Sequence, residues 1–539
     1  MRSAIWAAFL LWPASALAQT STPIDRGRID RDQPDTGERL PDATQAPPLP
    51  AATGRVDAEA VAVPIRSIRF EGTSVPAVVA AAAQDFVGQP ADKPTLQRLV
   101  ASMTLAYGRS PVALFTIIVP AQDLSTGDLR IAVGEGHVEA VILSGEVEGR
   151  PLTLVKSYAD RITRERPTSR RTLERYLSLI RDIPGLKVDA TLQTGSGPGG
   201  VRVILKLDYK RPTLTFGFDN RTTRLVDDGQ FQANARAYGL LREGDFTELA
   251  LATSIDARDY RYAGLSHSTP IGTDGMRLSL NAGYLETRPS DTPIRGEAKT
   301  LGLTLSYPLI RSYKRNLTLS TGVDGINSDN AALGSLIASE RTRALRVAAG
   351  YGQSTGRLSL SGSLSASRGL SILGARTDAI LAETTFTKLN ARFGIDRSLG
   401  KSIVARLRGS GQWTRDRLPA VERFSVGGPD FGRGFENALI SADRGLAGLA
   451  EIAWRPVPKG AFRASELYGF ADMAKVRLLP RGAFTGANVD MGSAGGGVRV
   501  ACGEKARLEL EAARPFDDPY PSYVRKWRFS IGWKLALRS

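Results

Sequence analysis

The sequence predicts tandem α+β modules followed by a 16-stranded antiparallel transmembrane β-barrel. Three observations predict it. The N-terminus reads as a secretory signal. One order of elements, strand–helix–helix–strand–strand, occurs twice in succession. From Pro212 to the end, apolar and polar residues alternate with a period of two. Composition agrees: Gly is 55 of 539 residues, about a tenth against a usual ~7%, which favours turn-rich β architecture.

Met1-Arg2 is a short basic start, Ala4 to Leu11 is apolar, and Ala16-Leu17-Ala18 is a small-x-small cleavage site before Gln19. Residues 1–18 are therefore read as a signal peptide, with an apolar run too short for a spanning helix of ~20 residues. Residues 19–63 are rich in Pro, Asp, Arg and Ala and show no apolar period. They read as a flexible N-terminal segment, either linker or plug.

The first module is 64–138. IRSIRFEG is a strand with a Glu-Gly turn; Val75–Val87 and Pro94–Tyr107 are helices, the second with an apolar face of Leu96, Leu99, Val100 and Met103; Ala113–Val119 and Leu129–Val133 are strands. The second module, 139–210, repeats the order. VEAVILSG is its first strand, Leu152–Arg164 and Arg170–Ile183 its helices, and Pro184-Gly185 stops the second. Val188–Thr191 and Val201–Asp208 complete it.

The barrel is 211–539. Met276, Leu278, Leu280, Ala282 and Tyr284 face one way, and Leu301, Leu303, Leu305, Tyr307 and Leu309 repeat the pattern with Thr304 between. The last strand sets Trp527, Phe529, Ile531, Trp533, Leu535 and Leu537 on one face and Arg528, Ser530 and Lys534 on the other. Apolar-out, polar-in alternation through so many segments of an exported chain fits an outer-membrane barrel with a polar lumen. A soluble β-sandwich array would seldom keep charge on one face throughout.

Lys plus Arg is 71 and Asp plus Glu 55, a net charge of +16. On an exported chain this points to outer-membrane lipid head groups or a pore lining rather than to nucleic acid. The one cysteine, Cys502, excludes a disulfide framework, and the two histidines, His137 and His267, are far apart, so neither a metal nor another cofactor is expected. Gly352-Gln353-Ser354-Thr355-Gly356 fits G-x-S-x-G, but it joins two alternating strands and lacks a partnered histidine. Gly195, Gly197 and Gly200 fit G-x-G-x-x-G, but a strand follows where a helix is required. No residue reads as catalytic, and an enzyme is not expected. Both histidines read as surface residues, His267 in a hairpin.

PVALFTIIVPAQDLSTGDLRIAVGEGHVEAVILSG resembles the end of the first POTRA domain of two-partner secretion outer-membrane transporters, the haemolysin and adhesin secretion-activation family of the Omp85 superfamily. Pro120, Gln122, Asp123 and Gly127 carry the likeness. LERYLSLIRDIPGLKVDATLQTGSGPGGVRVILKL resembles the second POTRA domain. FSVGGPDFGRGFENALISADRGLAGLAEIAW resembles the family's signature loop, with Arg433-Gly434-Phe435 as its Arg-Gly-Phe/Tyr motif, preceded by Gly427-Gly428 and followed by Gly445 and Glu451. FADMAKV resembles the F-x-D-x-G-x-V strand, with Ala474 where Gly is usual. Gly432 stands where an aliphatic residue is common, and the chain ends Leu537-Arg538-Ser539 rather than in an aromatic.

The resemblance implies a type V, two-partner secretion pore. Its periplasmic POTRA domains would recognise a large partner exoprotein of adhesin or haemolysin type, unfolded in the periplasm, and secretion would need no ATP. It also implies insertion by the barrel-assembly machinery and a motif loop inside the barrel. The alternative from the same superfamily is an assembly factor that inserts other barrels; a passive porin would leave 64–209 without a role. In SELYGFADM, Glu466, Tyr468, Phe470 and Asp472 share one face, and two carboxylates facing lipid would be costly, so that face points into the lumen. With the implied loop position, Arg433 is expected to bond Asp472 bidentately and to stack on Phe470 or Tyr468, beside Glu451.

Overall fold

A computed structural model describes residues 54–59, 61–145, 152–196, 199–223, 229–290, 292–333, 335–457 and 459–538. The signal peptide and most of the segment expected to be a linker or plug lie outside them. The chain divides into two compact units, the barrel and the paired modules before it.

The first module contains β1 (Gly54–Val56), β2 (Ser67–Gly72), α1 (Ala77–Gln84), α2 (Lys93–Tyr107), β3 (Phe115–Val119) and β4 (Asp128–Glu135), with sheet order β1-β3-β4-β2. Asp92 starts α2 by accepting the Thr95 N–H at 2.8 Å, and Pro94 occupies its first turn, where no intrahelical donor is lost. The apolar face then lies down on the sheet: Leu96, Leu99, Val100 and Met103 pack with Ile117, Val119, Ile131 and Val133. Tyr107 stacks on Phe115 at 4.4 Å between centroids.

The segment read as linker contributes to this module. β1 runs parallel to β3 with Gly54 opposite Ile117, and Val56, Ala58 and Val61 pack against the same core. Its composition hid it, because three residues are too few to show a period.

The second module contains β5 (His137–Gly145), α3 (Thr153–Thr163), α4 (Arg170–Arg181), β6 (Leu186–Thr194) and β7 (Gly200–Tyr209), with sheet order β5-β7-β6. Ser169 caps α4 by accepting the Thr172 N–H at 3.1 Å. Val155, Tyr158, Ile162, Leu173, Leu177 and Ile180 bury against Val203, Leu205 and Leu207. The Gly195 N–H donates to the Gly200 carbonyl at 2.8 Å where β6 ends and β7 begins, so a strand, not a helix, follows the G-x-G-x-x-G spacing.

The barrel's first eight strands are β8 (Thr213–Asp219), β9 (Gln230–Tyr238), β10 (Phe246–Ser254), β11 (Tyr260–Ile271), β12 (Met276–Thr287), β13 (Ile294–Arg311), β14 (Arg315–Ala332) and β15 (Ser335–Thr355). There follow β16 (Leu358–Gly369), β17 (Thr387–Leu399), β18 (Ile403–Thr414), then the short pair β19 (Phe424–Val426) and β20 (Ile440–Ala442), which forms its own two-stranded sheet. The wall resumes with β21 (Arg444–Trp454), β22 (Glu466–Leu478), β23 (Ala487–Cys502), β24 (Ala506–Pro515) and β25 (Arg528–Arg538). Without β19 and β20 these make a closed 16-strand barrel, sealed where β25 pairs antiparallel with β8.

The outward face is apolar. Leu301 is 60% exposed, Leu303 42% and Phe529 70%, while Thr304 and Gly322 lie on the lumenal side. Exposed leucines in every direction would be untenable in water; facing lipid they are the expected surface. Gly356 sits in the β15–β16 turn, which accounts for the G-x-S-x-G match. His267 is not in a hairpin turn. It lies within β11, where its Nδ1 is 2.9 Å from the Thr247 hydroxyl.

Candidate functional site: a loop clamped in the lumen

The connection 415–443 between β18 and β21 carries Arg433-Gly434-Phe435. Its path is set by glycines where a side chain cannot fit. Gly427 has φ +107°, and a Cβ there would sit 2.1 Å from the Glu436 carbonyl oxygen. Gly434 is held by close approach: a Cβ would lie 2.8 Å from Ser493 Cβ and 2.9 Å from the Pro515 backbone nitrogen. The Gly434 N–H donates to Ser493 Oγ at 2.9 Å. Phe435 is fully buried, among Phe424, Ile440, Val476 and Met491, and Tyr523 lies 5.5 Å away.

The wall beneath is β21 to β24. Burial in β22 alternates along its whole length, placing Glu466, Tyr468, Phe470 and Asp472 inward and Leu467 and Met473 outward. Arg433 lies over Phe470, with its guanidinium carbon 4.6 Å from the ring centre. Its Nη1 donates to Glu451 Oε2 at 3.1 Å and to Glu511 Oε2 at 3.2 Å, and its Nε to the Pro429 carbonyl at 3.0 Å.

The structure brings Arg433, Gly434, Phe435, Glu451, Tyr468, Phe470 and Asp472 together, but it corrects the expected pairing. Asp472 makes no bidentate bond with the Arg433 guanidinium. It accepts the Arg433 backbone N–H at 3.0 Å and the Ser493 hydroxyl at 2.7 Å. The reason is reach: a backbone N–H at the loop tip already fills the carboxylate, so the long side chain extends past it to Glu451 and Glu511. Of the two rings offered for stacking, Phe470 takes Arg433. Tyr468 instead lies under Arg499, 3.6 Å from guanidinium carbon to ring centre.

Sequence reasoning missed the rest of the network. Arg499 bonds Glu451 through both terminal nitrogens, at 2.7 and 2.9 Å, and Glu466 at 2.9 Å. Arg406 bridges the same two glutamates at 2.7 and 2.8 Å. Tyr468 donates to Glu511 at 2.8 Å and Glu509 at 3.1 Å, and Arg221 reaches both glutamates. The signal was available: Arg406, Arg499, Glu509 and Glu511 each stand on the polar face of an alternating strand. A charge there must be lumenal, and buried charges need partners.

A second clamp holds the start of the loop. Glu422, fully buried, meets Arg346 from β15 at 2.6 Å and Lys388 from β17 at 2.8 Å. Asp443, at the loop's end, accepts the N–H groups of Leu418 and Leu479 at 2.8 and 2.7 Å and pairs with Arg481. The loop is thus tied at its start to β15 and β17 and at its tip to β21–β24.

The first-module motif is a turn device. Gln122 accepts the Arg130 N–H at 2.8 Å and donates to the carbonyls of Arg130 and Pro120 at 2.8 and 3.2 Å. Asp123 accepts the Ser125 N–H at 2.9 Å, and that bond holds its carboxyl below the usual carboxylate value. Gly127 has φ +78°, and a Cβ would lie 2.6 Å from the Pro64 carbonyl.

Comparison with known proteins bears on both units. Residues 199–500, more than half the chain, match the family model described as haemolysin secretion/activation protein ShlB/FhaC/HecB, and 63–136 match the POTRA domain, ShlB-type. The chain is 23% identical over 463 residues to the heme/hemopexin transporter protein HuxB of Haemophilus influenzae, covering 81% of this chain and 80% of that protein. It is 25% identical to the outer membrane transporter CdiB of Dickeya dadantii, covering 62% of each. Among solved structures, CdiB from Escherichia coli superposes with a TM-score of 0.70 at 19% identity, covering 97% of this chain and 98% of that one. BamA from Haemophilus ducreyi, lacking POTRA domains 1–3, gives 0.52 at 14% identity over 88% and 100%, a likeness of fold alone.

Proposed function

Because the chain belongs to the ShlB/FhaC/HecB family of haemolysin secretion/activation proteins, we propose that its clamped loop is the closure of a protein-conducting lumen. The protein is an outer-membrane transporter of the two-partner secretion type, with its POTRA domains on the periplasmic side. Its partner is a large exoprotein. In this reading the exoprotein arrives unfolded, adds a strand to a POTRA sheet edge and threads the lumen. Folding outside, rather than ATP, drives the transfer.

The observation that carries the proposal is the Arg433 clamp. Two nearly inaccessible carboxylates, Glu451 and Glu511, converge on one guanidinium delivered by a loop. Such a clamp positions the loop. Its bonds are polar and exchangeable, so a threading polypeptide can replace them one at a time.

The test is a strain lacking the chain, compared with its parent by surface proteomics. Loss of one exported protein, with other barrels at normal level, supports secretion. A general fall in outer-membrane barrels would support the assembly-factor reading instead.

A further inference from the structure

One sector of the barrel's outer face carries a charge pattern that neither strand pairing nor the clamp explains. It lies at the end of the barrel opposite Thr213, where β16, β18, β21 and β22 finish or begin. Alternation puts Arg368, Arg444, Lys475 and Arg477 on the outward side, Arg415 directly follows β18 beside Trp413, and all but the half-buried Arg444 are exposed. Arg444 and Arg477 stand directly opposite each other in the β21–β22 ladder. Like charges facing across a ladder are destabilising unless an anion sits with them.

Trp413 organises the group. Its ring is 48% exposed on the outward face of β18, with the Arg415 guanidinium carbon 5.5 Å and that of Arg444 6.0 Å from the ring centre. The Arg444 Nε is fixed by the Thr414 carbonyl at 2.6 Å, which leaves its terminal nitrogens available. Within the sector the one outward acid across the ladder is Asp490, which pairs with Lys475 at 3.5 Å. Directly below lie Leu364, Leu389, Leu446 and Met473, all exposed, so the cations sit on the rim of the lipid-facing belt.

The neighbouring wall, β12 to β15, shows what an ordinary rim looks like. There the outward charges are mixed and matched: Glu286 with Arg288, Glu297 with Lys299, Asp329 with Arg341. The basic sector is therefore local.

The barrel's far rim meets the outer leaflet of the outer membrane, which in Gram-negative cells is built of phosphorylated glycolipid. We propose that Trp413, Arg415, Arg444 and Arg477 form a binding site for the phosphorylated sugar headgroup of that glycolipid. The arginines would hold phosphate bidentately, the indole would cover a sugar face, and the leucines below would receive the acyl chains.

The test uses the full chain in detergent with Kdo2-lipid A as probe, measured by native mass spectrometry. Phosphatidylglycerol and dephosphorylated lipid A are the comparison lipids. The triple variant Arg415→Gln, Arg444→Gln, Arg477→Gln is set beside Arg288→Gln, Lys299→Gln, Arg341→Gln on the ordinary rim, both checked for heat-modifiable folding. Each lost arginine is expected to weaken binding about fivefold, so the first variant, lacking three, loses about a hundredfold. The second stays within about twofold, and phosphatidylglycerol and dephosphorylated lipid A compete poorly. Equal loss from both variants, unchanged binding in the first, or equal competition by phosphatidylglycerol overturns the site. None of these outcomes bears on secretion.

Discussion

Replacing Arg433 by Ala should free the loop tip, and the structure says by how much and through whom. The side chain pairs with Glu451 and Glu511, donates a third bond to the Pro429 carbonyl, and stacks on Phe470. Orphaning a buried charge costs ~3–5 kcal/mol, but here neither carboxylate is orphaned. Glu451 keeps Arg499 and Arg406, and Glu511 keeps Arg221 and Tyr468. The expected loss is about 2–3 kcal/mol. Chymotrypsin cleavage after Phe435, which is fully buried, reads the loop's opening equilibrium in the folded barrel. Cleavage should rise about 30- to 150-fold. Pairing Arg433→Ala with Glu511→Gln should show a coupling of about 1 kcal/mol, because both remove one bond. Pairing it with Asp472→Asn should add to within about 0.5 kcal/mol, because Asp472 holds the backbone N–H that Ala retains. Strong coupling to Asp472 and none to Glu511 would refute the assigned pairing.

Four further outcomes follow from other parts of the molecule. Gly434→Ala should drive the tip off β23 and β24, costing about 1–3 kcal/mol in the same cleavage assay. Glu422→Ala leaves Lys388 buried without its carboxylate and should lower the urea midpoint of barrel unfolding by about 3–5 kcal/mol equivalent. Leu303→Arg should cost about 2–4 kcal/mol in a lipid-vesicle folding titration if it meets the bilayer midplane, while lumenal Thr304→Arg is tolerated. In a 54–210 fragment, the Thr95 hydrogen bonds hold the Asp92 carboxyl below its ordinary value. Its contribution is complete above the unfolded value of 3.8 and is lost as pH falls through the lower folded value; Asp92→Ala should flatten that acid limb in circular dichroism.

The architecture was legible because periodicity reports environment. The six outward residues from Trp527 to Leu537 were readable as one face, and all six are exposed. The apolar stripe of α2 was equally readable from Leu96, Leu99, Val100 and Met103. β1 was not, since a three-residue strand carries no period. The lumenal direction of Asp472 was legible from alternation, but its partner was not. Which nitrogen of Arg433 reaches which carboxylate depends on the loop's path, fixed by close approaches such as Gly434 against Ser493, far apart in sequence. Glu511 lay beyond the motif that drew attention, although its strand position marked it as lumenal.

In the proposed function a polypeptide crosses through the lumen once the clamp opens. The direct measurement is site-specific photocrosslinking in cells during export of the protein identified by surface proteomics. A photoreactive residue at Thr304, facing the lumen, should crosslink the passing chain, and one at Leu303, facing lipid, should not. Crosslinking from Leu303 alone, or from neither position while export continues, would contradict transport through the barrel.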